Sequence, residues 1–285
     1  HSGADMFGGP VRDELDVRET IRLVAPLGFH AIQFHDDDIA PGIEGKSSGE
    51  IMSQTREMKQ FLGDLGLAAE FVAPRLWDPP EFRNGALTNP SPSLRQKAVD
   101  RSLRCIEMAN ELDCDLVGFW FAREGTVVAE TKDPVAAVHY LVDGLNALLE
   151  ADPRIRLFIE PKPNEPIDRS FAPTQGHAMA LSSLTRDPQR VGGLVESAHA
   201  ILAGLDPAAE MAFAIAHDRL FGVHLNDQNS LRFDQDKVFG AENLRQAFNQ
   251  IRVLKDADFG SRGEYIGLDV KAAGPQPASN RAQHL

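Results

Sequence analysis

The residues best suited to chemistry are carboxylates, imidazoles and one amine that recur where short apolar runs stop. Glu160 ends the run Leu157-Phe158-Ile159, and Lys162 follows it among three prolines, Pro161, Pro163 and Pro166. Proline fixes φ and removes a backbone donor, so this segment can neither extend a central strand nor form a helix interior. It reads as a stiff loop in which Glu160 and Lys162 face one way and Pro161 the other. His35 and Asp38 close an earlier run, FHAIQF; Glu196 closes VGGLV, His224 lies in FGVHL, and Asp269 stands near the end of a run over 265–270. His199 comes three residues after Glu196, a spacing that brings both side chains to one side if the backbone turns helically. Asp234 and Asp236 flank a single residue in FDQD. Oxygen donors with an occasional imidazole suit hard divalent cations such as Mg²⁺ and Mn²⁺, and an ammonium beside them can stabilise developing negative charge. Each residue alone also has a plainer reading. Glu160 and Lys162 could be a surface ion pair, His199 a packing histidine, and FDQD an exposed acidic turn.

Gathering such scattered positions requires a regular scaffold. Asp16 and Glu19 make a capping-box start to a helix with Ile21, Val24 and Ala25 on its apolar face, and Gly28 stops it. The strand FHAIQF follows. Helices are then expected over about 50–65, 94–112, 134–149, 177–184, 207–216 and 241–254. Strands are expected over 69–73, 116–120, the run ending on Glu160, VGGLV, FGVHL and 265–270. Strands alternating with helices at this spacing imply βαβ units and a parallel sheet. The right-handed crossover rule leaves a doubly wound sheet or a barrel. Seven strands and seven helices favour an α/β (β/α)₈ TIM barrel, since eight of each close one. The chain opens on a helix and finishes on a strand, so the expectation is a single domain over 1–285 lacking the first strand and final helix. In such a barrel the strand C-termini, where the acids and histidines fall, form the active face.

Composition narrows the partners. The formal charge is −13 with no basic run, and that field repels nucleic acid and anionic membranes. Cys105 and Cys114 are the only cysteines; they form no disulfide framework or zinc spacing and suit a reducing cytoplasm. There is no signal peptide and no apolar run near eighteen residues, so neither export nor a membrane span is expected.

The segments FHDDD, FWFAREG, EPKPNEP, FAPTQGH, FDQDKVFG and LDVKA, in this order, resemble xylose isomerase of the actinobacterial type, over essentially the whole chain. The resemblance implies a (β/α)₈ barrel with two divalent cations (Mg²⁺, Mn²⁺ or Co²⁺), a homo-oligomer (dimer or tetramer), and conversion of an aldose to its ketose by a hydrogen shift between C2 and C1. By this likeness Glu160, Glu196 and Asp269 match first-metal ligands, with Glu196 bridging to a second metal held by His199, Asp234 and Asp236. Lys162 matches the lysine that meets the substrate carbonyl oxygen, and His35 with Asp38 the pair that assists ring opening. Trp120 matches the tryptophan that walls the sugar, and Phe7 the aromatic inserted into a neighbouring subunit's pocket. Two substitutions stand out. Trp77 replaces the family's sugar-facing aromatic, and His224 stands where the family has a first-metal aspartate. Acid, acid, His, acid on four successive strands is similar to the single-metal ketose 3-epimerases and rhamnose isomerases of the same superfamily. The remaining alternatives are a catalytically impaired sugar- or metal-binding homologue and a metal phosphodiesterase resembling endonuclease IV. The latter needs a histidine-rich three-zinc site and a basic face, which this sequence does not offer.

Overall fold

The computed structural model of the chain describes residues 4, 8–229, 231 and 233–271. Its first helix, α1 (Val17–Val24), starts on Asp16 and Glu19, each accepting from the other's backbone amide as a capping box requires. Gly28, at φ 91°, turns the chain out of that helix and into β1 (Ala31–His35). The order then runs α2 (Asp36–Ile39), α3 (Ser48–Asp64), β2 (Ala68–Ala73), α4 (Pro92–Glu111), β3 (Leu116–Trp120), β4 (Gly125–Thr126), α5 (Pro134–Ala151), β5 (Arg156–Glu160) and β6 (Arg169–Ser170). It continues with α6 (Gln175–Leu184), β7 (Val191–Glu196), α7 (Ser197–Leu202), α8 (Pro207–Ala216), β8 (Leu220–Leu225), α9 (Leu244–Asp256) and β9 (Ile266–Leu268). Side-chain caps set the starts. Ser47 and Glu50 form a second capping box at α3, and Asp133 and Asp206 accept first-turn amides ahead of Pro134 and Pro207.

Among the described residues, β1-β2-β3-β5-β7-β8-β9 form one sheet in which every neighbour is parallel. It curls as a TIM barrel does. Phe71, Ala73, Leu116, Phe158 and Leu194, all from strands, pack together as an inner core joined by Phe221. A larger core lies between the outer face of the sheet and the helices, from Ile21 and Phe34 through Leu145 to Val191. A third cluster joins β7 and β8 to α8 and α9 around Met211, Val223 and Leu254. Burial is graded across the sheet: all six residues of β7 are buried, whereas the edge strands β1 and β9 are only partly covered.

The sequence-derived elements reappear within a few residues of their expected ends. Two one-turn helices, α2 and α7, were too short to show a hydrophobic period. The last strand is shorter than 265–270, because Asp269 leaves it and the Lys271 amide donates to the Asp236 carbonyl (3.0 Å). Among the described residues no helix is long and apolar enough to cross a membrane. Phe7 lies outside the described residues.

Two loops hold the active face rigid. The proline-rich loop after β5 is tied down by the Lys162 amide to Ala172 O and the Ser170 amide to Pro163 O. Beside it β6 pairs antiparallel with β4, from the loop after β3. The loop between β2 and α4, which carries Trp77, is fastened by buried Glu124. That carboxylate accepts from the amides of Ala86, Leu87 and Thr88 and from the Thr88 hydroxyl. A buried loop of this kind is stable only when its backbone donors are met.

Candidate active site and metal centre

Strand ends and the segments after them deliver most of the sequence-derived residues to one cavity of about 320 Å³, lined among others by His35, Trp120, Glu160, Glu196, His199 and His224; Asp38, Trp77 and Lys162 are not part of its lining. Asp234, Asp236 and Asp269 line it too. Glu160 ends β5, Glu196 ends β7 and His224 is the fifth residue of β8. Parallel register sets Glu196 directly beside His224. The single turn α7 starts at Ser197 and brings His199 back over Glu196, its Nε2 3.3 Å from the carboxylate.

Two foci are visible. Around His224 Nδ1 stand Glu196 at 3.6 Å, Asp269 at 3.8 Å and Glu160 at 3.9 Å. Around His199 stand Asp234 and Glu196 on the Nε2 side, at 3.2 and 3.3 Å, and Glu160 at 3.3 Å from Nδ1. Among the described residues Glu196 belongs to each grouping with metal-binding geometry: with Glu160 and His199, with His224 and Asp269, and with Asp234 and Asp236. In each, the ligand atoms lie within 4.8 Å of one another. His199 therefore stands closer to Glu160 than its assignment with Asp234 and Asp236 alone anticipates. The donor set fits divalent cations on a second count. His199 Nδ1, both ring nitrogens of His224 and Asp234 Oδ1 are buried without a hydrogen-bond partner, a cost that proteins accept where something else satisfies the group.

The electrostatics are those of a crowded acidic pocket. Burial alone would lower both imidazoles, but the neighbouring carboxylates outweigh it and push His199 up to about 9 and His224 up to about 10. Burial pushes Glu196 up to about 7, although His199 opposes it, and pushes Asp236 up to about 9, reinforced by Glu196 and Asp234. Asp234 goes the other way: His199 and Lys162 override its burial and hold it well below the usual carboxylate range. Lys162, also buried, donates to Asp234 Oδ2 at 2.8 Å and stands 3.4 Å from Glu165. Its Nζ lies 5.0 Å from the centre of the Trp120 ring, in cation–π range.

An aromatic wall closes the other side. Trp120 stacks on His199 with centroids 6.4 Å apart and meets Trp77 edge-on at 5.4 Å; Trp77 in turn meets His35 at 6.2 Å. Asp38 Oδ2 accepts from the His35 backbone amide at 2.9 Å, while its distance to His35 Nδ1 is 3.6 Å. Asp38 thus holds the His35 backbone first and its ring second. Burial would raise Asp38, yet His35 and Arg75 together lower it.

Three residues that organise the site went unassigned in the sequence. Asn226 places Nδ2 2.9 Å from Glu196, 3.2 Å from Asp236 and 2.9 Å from the Asp269 carbonyl, and its Oδ1 accepts the Ala198 amide. Lys271 pairs with Asp236; it stands two residues after Asp269, and that interval was the available signal. Arg75 bridges Asp37 and Asp38 at 2.7 and 2.9 Å and lies over Trp77.

A parallel barrel with carboxylates and imidazoles gathered at the C-terminal face defines a class, and the comparisons agree: residues 21–279 match the xylose isomerase-like TIM barrel family, to which this chain belongs. It is 33% identical over 261 residues to a xylose isomerase of Thermus thermophilus, covering 90% of this chain and 67% of that enzyme. Solved structures share the fold at lower identity. The D-psicose 3-epimerase of Clostridium cellulolyticum H10, solved with D-tagatose, superposes with a TM-score of 0.65 at 17% identity, covering 95% of this chain and 84% of that one. The 3-keto-D-glucoside 4-epimerase YcjR of E. coli superposes with a TM-score of 0.71 at 13% identity, over 97% and 95% of the two chains.

Proposed function

We propose that the chain is a metal-dependent sugar isomerase that interconverts an aldose and its ketose by moving hydrogen between C2 and C1. The observation that carries this reading is Glu196, shared by adjoining carboxylate–imidazole groups on the floor of a tryptophan-walled cavity. Glu160, Glu196, His224 and Asp269 would hold one divalent cation, and Glu196, His199, Asp234 and Asp236 a second. Such ions polarise a carbonyl and lower the pKa of a hydroxyl or water.

The chain's own groups do the rest. In this reading Lys162 would donate to the carbonyl oxygen, where negative charge develops. Its bond to Asp234 keeps the ammonium charged, because that carboxylate overrides the burial that would lower it. Trp120 and Trp77 offer apolar faces to the C–H side of a sugar and keep the reacting centre dry. In this reading His35, backed by Asp38, would exchange a proton with the ring oxygen on opening. A homo-oligomer is part of the proposal, supported by Leu244, Phe248 and Ile251, exposed along one face of α9.

A second reading, a ketose 3-epimerase or rhamnose isomerase-like enzyme, is favoured by the imidazole of His224 at the first focus. One assay separates the two: aldoses and ketoses incubated with Mg²⁺, Mn²⁺ or Co²⁺, with products resolved by NMR. A ketose formed from xylose supports the first reading, whereas a ketose formed from rhamnose but not from xylose supports the second. Ketose epimers alone would transfer the proposal to the second reading, and inert sugars with every ion would sink both.

A further inference from the structure

We propose that Gln33 and Glu70 form the outer support of His224: with Nδ1 engaged by a metal ion, Gln33 would turn its Oε1 to accept from His224 Nε2–H while Glu70 holds the Gln33 amide. The inference rests on the reading of His224 as a metal ligand through Nδ1. That nitrogen is the one facing the carboxylates of Glu160, Glu196 and Asp269. The opposite nitrogen, Nε2, is buried with no hydrogen-bond partner. A histidine that ligates through one nitrogen donates its other N–H to a carboxylate, carbonyl or water, which fixes the tautomer and ring orientation. The groups lying against that far edge are therefore the ones to consider.

They meet at Gly267. A Cβ built there would fall 2.3 Å from Gln33 Nε2 and 3.1 Å from His224 Cδ2, the ring carbon bonded to Nε2. The missing side chain thus opens a space into which both the Gln33 amide and the far edge of the imidazole project. Gln33 is held there by one bond, Nε2 donating to Glu70 Oε2 at 2.8 Å. One N–H of the Gln33 amide goes to Glu70, and its Oε1 remains an acceptor, the type that Nε2–H needs. Glu70 itself is buried and accepts from Gln33. Burial raises its pKa; the Gln33 bond and the charge of His224 oppose that rise. A buried carboxylate ending a chain of amide and imidazole is well placed to favour the ring with its proton on Nε2 and its lone pair on Nδ1.

The test is calorimetric titration of the metal-stripped protein with Mn²⁺, in the His224 form and in His224→Asp. Gln33→Leu should weaken Mn²⁺ by roughly 10–100-fold in the His224 form, the range seen when outer partners of ligands are removed. In His224→Asp, which has no imidazole to support, Gln33→Leu should leave affinity unchanged. Glu70→Gln keeps the shape and bears the same test if Gln33→Leu does not fold; its loss should be smaller and should also vanish in His224→Asp. Equal losses in both backgrounds, or none in the His224 form, would overturn the inference. A starting protein that binds no Mn²⁺ would overturn the metal centre as well, so the two failures are distinct.

Discussion

The Asp36-Asp37-Asp38 triplet and the Glu160, Glu196, Asp234, Asp236 and Asp269 group are both acidic and both follow barrel strands, yet they are finished differently. Asp36 is fully buried and accepts from Arg101 Nε at 2.6 Å, from Arg101 Nη2 at 2.8 Å and from the Arg75 amide at 3.1 Å. Arg75 forks across Asp37 and Asp38. Nothing in that triplet calls for a further cation. In the second group His199 Nδ1, both ring nitrogens of His224 and one carboxylate oxygen are buried without partners, and the nearest cations, Lys162 and Lys271, each reach one aspartate. Clustered acidity is thus a poor indicator of a metal site; clustered acidity with unmet donor and acceptor capacity is a good one.

The largest effect should come from breaking the completed triplet. Arg101→Met leaves Asp36 buried and unpaired, and losing one partner of such a pair costs about 3–5 kcal/mol. Chemical denaturation should show that loss, and Mn²⁺ affinity of the folded fraction should not change. Glu196→Gln should do the reverse, abolishing tight Mn²⁺ binding while the metal-free protein keeps or gains stability, because it removes a carboxylate already disfavoured by burial and by Asp269. Unfolding curves that move the same way for both variants would erase the distinction.

Next in size is Lys162→Met, which should lower isomerisation by on the order of 10²–10³ and leave Mn²⁺ binding at the Glu160, Glu196, His224 and Asp269 focus intact. Unchanged turnover would make Lys162 a simple ion-pair partner. Third comes pH. In the metal-free protein His199 and His224 have raised pKa values, so the stability they contribute is complete below about 6.5 and is lost as pH rises through about 9 and 10. Glu196 and Asp236, raised to about 7 and about 9, act in the same direction. Lowered Asp234 acts in the opposite direction, but only below the carboxylate range. Metal-free Tm should therefore fall from pH 7 to pH 10, with a slope of up to about 1.4 kcal/mol per pH unit for each proton released. Saturating Mn²⁺ should flatten it; a metal-free Tm that rises over this range would contradict the assignment. Arg75→Met should have the smallest effect, about 1 kcal/mol or less in denaturation, because its pairs with Asp37 and Asp38 are partly open to water.

The barrel was legible because βαβ punctuation is local: caps at Asp16, Asp133 and Asp206 and apolar runs ending on Glu160, Glu196 and His224 stand in the sequence itself. The positions of Glu160, Glu196 and His224 were legible for the same reason, being attached to strand ends. What the sequence left out depends on tertiary approach. Asn226 is an ordinary amide until the chain folds it between Glu196, Asp236 and Asp269. The Gln33–Glu70 pair joins residues 37 apart across two neighbouring strands, and no periodicity announces it. The single turn α7, which fixes His199 over Glu196, is shorter than any pattern a hydrophobic period can reveal.

The central claim, that the unfinished cluster is a centre for divalent cations, is tested most directly by titrating chelator-stripped protein with Mn²⁺, in parallel with Glu196→Gln. The account predicts saturable binding at two sites accompanied by proton release, since His199 and His224 start protonated and must be neutral to ligate, and loss of tight binding at both sites in the variant. Absence of saturable binding, or binding that Glu196→Gln leaves untouched, would contradict it.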